Sequence, residues 1–414
     1  MNLHNGTYYW PETLPHPPVY PRLSQDISCD ILIIGAGIAG AQCAYLLRDS
    51  GLNVVLVEKN RVGSGGTCAN TAFIQHAGEK MAHQLVNSFG EELAFRHLQL
   101  CKNAIDQLEQ AASLMNNFDP SFVRRSSLYT ASQPEDVQKL EKDYKLLRRH
   151  GFEIDFLTED EIAHRYPFRR PAALYCYRDA ELNPFVFTHG LIELACSKGT
   201  RVYEQTRVSG KHYEKDAVVY HTDTGHTIRA QHVILAAGYE NMRIKAEKNA
   251  LLIATYATVT TPVDEALLRQ QWHERSLIWE TAHDYIYMRT TPDNRVIVGG
   301  MDERVFHVNR NDALRLHKSQ KLIQEFNKLF PAINVRAEYA AAAYYGGTHD
   351  GLPIIGMYND FPRCTFLYSY GDNGIVYSMV LAQILRDVLV NGESADLDLY
   401  KQDRPLWNKH PAHV

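Results

Sequence analysis

No block of basic residues appears in this sequence: 43 lysines and arginines are outnumbered by 48 acidic side chains, and the net charge is −5. Binding a nucleic-acid backbone calls for a basic face, so nucleic acid is not an expected partner. Cysteine is sparse too. Seven are scattered (Cys29, Cys43, Cys68, Cys101, Cys176, Cys196 and Cys364) without a Cys-x-x-Cys pair, which argues against a structural zinc site and suits a reduced, cytoplasmic setting. The first 23 residues lack a basic segment leading into an apolar one, so no secretory leader is expected. No transmembrane segment is expected either, because the longest glycine-containing apolar run is explained as a strand and a helix. Internal repeats and low-complexity tracts are also missing.

What is present are the proportions of a soluble globular chain, 45% hydrophobic and 22% charged over 414 residues, a length that predicts two domains. Residues 29–59 organise the rest. An apolar β-run at 31–34 leads into Gly35-Ala36-Gly37-Ile38-Ala39-Gly40 and then a helical, alanine- and leucine-rich segment. In such a turn Gly35 permits the bend, Gly37 admits a pyrophosphate to the backbone, and Gly40 lets the helix pack close. The helix N-terminus offers free N–H groups to the phosphates. A second apolar run, 54–57, ends in Glu58, 18 residues beyond Gly40, and Lys59 follows. An acidic side chain there accepts ribose hydroxyls, so the spacing predicts an ADP-containing dinucleotide.

Residues 7–23, TYYWPETLPHPPVYPRL, read as an extended arm whose Tyr8, Tyr9 and Trp10 pack on the protein surface or on a partner. Helical periodicity covers 82–118, and a second helix begins near 133 with Ser132 as N-cap. Strand-like pieces lie at 127–130 and 152–156. Asn183-Pro184 leads a helix ending at Gly199, and further strands are expected at 217–222, 227–230 and 231–238, the last ending in Ala236-Ala237-Gly238. Residues 250–300 are β-rich, 311–330 form an amphipathic helix, and Gly371-Asp372-Asn373-Gly374 opens a terminal helix from Ile375.

These pieces together resemble the D-amino-acid oxidase (DAO) family of FAD-dependent oxidoreductases over roughly residues 30–392. Four motifs carry the likeness: GAGIAG with Glu58-Lys59, the GSGGT and NTA loop, VILAAG, and the paired GLPIIG and YGDNGI. The YYWPETLP arm is similar to that of γ-glutamylputrescine-oxidase-type members. The resemblance implies an α/β fold, with a Rossmann-type FAD-binding domain (1–82, 170–240 and 338–414) and an inserted antiparallel-sheet α+β substrate domain (83–169 and 241–337). It implies that Ile38 and Ala39 face the pyrophosphate and Glu58 the ribose. Ser64, Gly66, Thr67, Thr71 and Ala72 would lie by the flavin, with Ala237 and Gly238 against the cofactor and Val208 touching adenine through its backbone. Gly371, Asp372, Asn373, Gly374 and Ile375 would aim N–H groups at the flavin O2, although most members carry a second glycine where Asp372 stands. The positions of covalent tethers in other members fall at Ala343 and near Ala69, neither a nucleophile, so FAD should be non-covalent.

The implied reaction is oxidation of a C–N bond in a small-molecule amine or amino acid. Hydride passes from the α-carbon to flavin N5, and the imine hydrolyses in water. Alternation in Tyr285-Ile286-Tyr287-Met288-Arg289 puts Tyr285, Tyr287 and Arg289 on one strand face, where Arg289 could clamp a carboxylate. Tyr256 and Tyr345 are further candidates, and His283 reads as a loop histidine. Where sarcosine oxidases use a lysine to activate oxygen this chain has Ile297, which leaves O2 and another electron acceptor both open. Two rival readings stand beside this one. The glycine loop alone also suits an NAD(P)-linked dehydrogenase, and the aromatic arm a non-catalytic flavoprotein subunit of a larger complex.

Overall fold

In the computed structural model, which describes residues 4–78, 80–282, 284–303 and 312–404, the apolar run at 31–34 is the buried end of the strand Ile27–Ile34. A strand apolar on both faces belongs inside a parallel sheet. It pairs parallel with Val54–Val57, from Ile31↔Val54 to Ile34↔Val57, and on its other side with Thr227–Leu235. The sheet continues outward through Cys364–Tyr368 and Ile354–Met357 at one edge and Arg201–Tyr203 at the other. The helices Ile38–Leu47, Pro184–Cys196 and Gly374–Asn391 pack together beside it. Gly374–Asn391 is long and apolar enough to cross a membrane, but in this fold it is a core helix, with ten residues from Ile375 to Leu385 buried.

Residues 227–230 and 231–235 form one strand, not two. Its start pairs antiparallel with Val218–Thr222 while its length runs parallel to Ile27–Ile34. No glycine or proline interrupts the segment, so the chain has nowhere to turn.

The second sheet has ten strands and carries most of the long alternating segments. Its order is His4–Gly6, Ala337–Thr348, Ala250–Thr260, Val296–Glu303, Ile286–Thr290, Leu277–Glu280, Val123–Thr130, Ala172–Glu181 and Phe73–Ile74, with Ile154–Thr158 also on Ala172–Glu181. Every pairing is antiparallel except Leu277–Glu280 with Val123–Thr130. Strands at 4–6, 172–181 and 337–348 therefore belong to this sheet, although the expected domain limits put them with the dinucleotide fold. Ala337–Thr348 is drawn in by its long pairing with Ala250–Thr260, from Ala250↔Thr348 to Thr260↔Ala337.

Two helix boundaries also differ from expectation. The periodic stretch 82–118 breaks at Gly90, φ +80°, into Ala82–Phe89 and Glu91–Ser113. Ser132 caps nothing; its hydroxyl donates to Glu280 (3.2 Å) and accepts from the Ala282 N–H (2.9 Å), tying two strands of the large sheet, and the helix begins at Val137 after a short 3-10 turn. The helix expected at 311–330 is Asp312–Leu329, with Asn311 outside the described residues.

The aromatic arm folds onto its own chain. Tyr9 and Trp10 are buried, the Tyr9 hydroxyl donates to Asp293 (2.6 Å), and the Trp10 indole N–H donates to the Asn70 carbonyl (2.6 Å).

Near the end of the described chain, Arg404 grips the buried Asp350 with two hydrogen bonds, Nε to Oδ2 (2.8 Å) and Nη2 to Oδ1 (2.7 Å). Burial alone would lift the Asp350 carboxyl, but Arg404 and the Asn249 amide outweigh it and hold it below the ordinary range. A carboxyl depressed on folding contributes stability above its unfolded pKa of about 3.9 and loses that contribution as pH falls through the folded value. Replacing Arg404 by Met should cost about 3–5 kcal/mol at neutral pH. It should also flatten the loss of stability below about pH 4, as urea midpoints at neutral and acid pH would record.

Candidate functional site

The first helix sits so close to the strand that a Cβ on Gly40 would lie 1.9 Å from the Gly35 carbonyl oxygen. Gly35 itself takes φ +107°, a region that disfavours side chains. Beside Gly37 the only near neighbour of an added Cβ is Thr67 Oγ1, at 3.3 Å. The same Thr67 oxygen accepts the Ile38 N–H (3.0 Å), so that first helical donor is satisfied within the chain and is not available to a phosphate as expected. Ala39 follows it, partly buried, in the first turn of the helix.

The Glu58 carboxylate accepts from the Ala36 N–H (3.0 Å) and the Asn60 N–H (2.8 Å), which brings it to the glycine turn across 22 residues of sequence. Burial lifts its pKa, opposed by those two backbone donors. Lys59 turns aside to an ion pair with Glu240 (2.5 Å). The Thr206 N–H donates to the Glu58 carbonyl (2.9 Å), which puts Val208 near the same strand end. The Ala236 N–H donates to the Ile34 carbonyl (2.9 Å), so Ala237 and Gly238 lie directly against the glycine turn.

Beside the 64–71 loop, which Thr67 ties to this turn, a cavity partly open to solvent lies against the large sheet. One wall is Gly66, Asn70 and Thr71 of the glycine-rich loop, with Gly371, Asp372 and Gly374 at the start of the terminal helix. The opposite wall shows the period-two alternation of strands: Thr255 and Ala257, Tyr285 and Tyr287, then Ala341, Ala343 and Tyr345. Tyr287 has room because its cross-strand partner is Gly299, where a Cβ would fall 2.4 Å from its ring. Burial lifts the Tyr287 hydroxyl far above the ordinary phenol range, so it stays neutral.

Ser64, Asn373, Ala72 and Ile375 do not line the cavity. Ser64 Oγ closes its own turn on the Arg61 carbonyl (2.7 Å), and the Asn373 amide is spent on the Gln75 carbonyl. The Gly371 N–H donates to the Gly346 carbonyl (2.6 Å), which removes one of the donors expected to face the flavin.

Two of the expected substrate residues, Arg289 and Tyr256, do not line the cavity. Arg289 is 1% exposed and donates Nε to the Thr71 carbonyl (2.7 Å) and Nη2 to the Leu182 carbonyl (2.9 Å), with Glu181 at 3.5 Å. It shares the strand face of Tyr287 but lies past the cavity, beneath the Trp10 ring, buried among structural partners. Tyr256 lies between Thr255 and Ala257 and so faces the other side of the sheet, where its hydroxyl donates to Glu303 (3.3 Å). His283 lies outside the described residues. Ile297, opposite Arg289 in register, is buried with Tyr9 and Trp10.

Trp279, Tyr344, Thr255, Phe73 and Tyr239 line the cavity without having been singled out in sequence. Each comes from a different stretch, and only the alternation at 255/257 and 341/343/345 hinted at a shared face.

Gly37 provides a turn a Cβ would crowd, Glu58 is beside it, and the loop that Thr67 ties to the turn lines the cavity, so these residues fit an ADP-bearing flavin. Ala69 and Ala343 are on the cavity wall, where the lining side chains include neither cysteine nor histidine.

Arg289 and Trp10 together hold consecutive carbonyls, those of Thr71 and Asn70, and the Asn70 side chain in turn accepts the N–H of Ala72, a residue at φ +52°. Changing Arg289 to Met should cost about 3–5 kcal/mol of stability, visible in thermal denaturation, and should speed FAD release without selectively weakening carboxylate-bearing ligands. Glu58→Gln should weaken FAD binding by about 1.5–3 kcal/mol, read by fluorescence titration of the apoprotein.

A family model described as FAD dependent oxidoreductase (DAO) matches residues 30–388. The gamma-glutamylputrescine oxidoreductase of Escherichia coli (strain K12) is 22% identical over 405 residues, 97% of this chain and 92% of that protein. A Bacillus subtilis protein named for a Rieske 2Fe-2S iron-sulfur centre is 30% identical over 233 residues; the match takes in 56% of this chain and spans 44% of that relative's length. The crystal structure of glycine oxidase from Geobacillus kaustophilus superposes with a TM-score of 0.76 at 20% identity, covering 91% of this chain and 99% of that one. With a glycine turn, a carboxylate beside it and a cavity lined by the loop that Thr67 ties to that turn, the chain belongs to the DAO family of FAD dependent oxidoreductases.

Proposed function

We propose that this chain oxidises a C–N bond in a small amine or amino acid. The carrying observation is the cavity itself, which begins at the cofactor loop and ends against aromatic side chains of the large sheet. The activities named for its relatives, gamma-glutamylputrescine oxidoreductase and glycine oxidase, point to the same bond. Bound FAD supplies the two-electron acceptor.

The chain's own residues orient and enclose the substrate. Tyr285, Tyr287 and Trp279 provide a wall that keeps water from the reacting carbon, and the neutral Tyr287 hydroxyl offers a hydrogen bond without adding charge. A substrate held as a neutral amine needs no dedicated base, in keeping with a wall that carries no histidine or lysine. A reducing compartment such as the cytoplasm suits seven cysteines that are all free thiols. No observation favours the NAD(P)-linked reading. Ile297, packed in an apolar cluster, gives oxygen no fixed cation to meet at that position.

Purified protein should be yellow, and under anaerobic conditions its 450 nm flavin band should bleach with at least one member of a panel of amines, N-methyl amines and amino acids. A flavin that no member reduces would support a non-catalytic subunit instead.

A further inference from the structure

A second, smaller cavity lies under the N-terminal arm, partly open to solvent. Tyr8, Tyr9 and Trp10 of the arm cover it, Cys68 closes the side toward the glycine-rich loop, and Val259 and Ile297 of the large sheet form its floor. None of these residues lines the larger cavity, yet Ala69, Asn70, Thr71, Ala257 and Ala341 line both.

The register of the large sheet explains that junction. Tyr339, Val259 and Ile297 sit side by side on three neighbouring strands, and two residues along the same face Ala341, Ala257 and Gly299 do the same. The first row floors the small cavity; the second, with two methyl groups and a glycine, leaves only a thin wall toward the larger one. The polar groups around the small cavity are committed elsewhere. The Tyr8 hydroxyl is hydrogen-bonded to His4 (2.7 Å), the Tyr9 hydroxyl donates to Asp293 (2.6 Å), the Trp10 indole N–H donates to the Asn70 carbonyl (2.6 Å), and the Cys68 thiol donates to the Gly65 carbonyl (3.1 Å). A space lined in this way gives little hold to water or to a charged amine and admits a small apolar molecule.

We infer that this second cavity conducts dioxygen to the reduced cofactor by a path separate from the amine's, so that the chain works as an oxidase. Dioxygen takes two electrons and the N5 proton of reduced FAD together with one proton from solvent, and leaves as hydrogen peroxide beside oxidised FAD. Val259 and Ile297 serve by keeping the path apolar and open. The inference goes beyond the amine-oxidation reading and requires only bound FAD.

The test starts from holoprotein whose FAD has been reduced with one equivalent of dithionite, so that no amine takes part. On mixing with oxygenated buffer the flavin band should return at least about tenfold faster than that of free reduced FAD. Val259→Phe, which fills the cavity, should slow that return about tenfold and leave reoxidation by dichlorophenolindophenol, a dye too large for the small cavity, unchanged. Xenon gives a readout without turnover: its NMR signal should shift with the oxidised wild-type holoprotein and shift less with Val259→Phe. Where phenylalanine is not accommodated, Val259→Ala decides, with the oxygen reaction expected to quicken about twofold. A wild-type flavin no faster with oxygen than free FAD, an oxygen rate that neither variant changes, or equal slowing of oxygen and dye would overturn the inference and leave amine oxidation standing. Failure of every amine to bleach the flavin would overturn that reading and leave this one.

Discussion

The approach of the first helix to the glycine turn, close enough that no side chain fits at Gly40, is the constraint from which the site follows. It aims the helix start at the end of the parallel sheet, where the neighbouring strand delivers Glu58 and the returning strand delivers Ala237 and Gly238. A side chain at Gly40 would push the helix outward and separate the backbone donors from the carboxylate. The close packing thus carries binding as well as fold.

A second bracket governs the far side of the same site. The loop ending in Ala72 has little regular structure, and a residue at positive φ is held there only by surrounding contacts. Those contacts come from remote sequence: Arg289 from the large sheet and Trp10 from the arm each bind one carbonyl, and the guanidinium lies under the indole, 5.1 Å from its centre. The aromatic arm therefore braces the loop that lines the cavity. Burying Arg289 there is tolerable because carbonyls and Glu181 surround it on its open sides.

The chemistry of the cavity comes from what is spent elsewhere. Arg289 and Lys318 are ion-paired with Glu181 and Glu303, and the cavity they leave is lined largely by aromatic rings. Such a wall differs in character from the carboxylate clamp that the strand pattern suggested. The difference arises from one strand running two residues further than the cavity does, so that Tyr287 reaches the ligand space and Arg289 passes beneath the arm.

The sequence by itself determined the apolar run at 31–34 with its turn and helix, the position of Glu58 and the return of 231–235 to the same sheet, because each rests on local spacing: glycines where backbone must approach, apolar runs where both faces are covered, a carboxylate at a strand end; four motifs together carried the resemblance to the family. Tertiary structure alone decided which way Tyr256 and Arg289 face, how the aromatic arm is used and which rings share a cavity. Those outcomes depend on strands far apart in sequence, where a shift of one residue exchanges the buried face for the other, and local pattern does not encode where a neighbouring element ends.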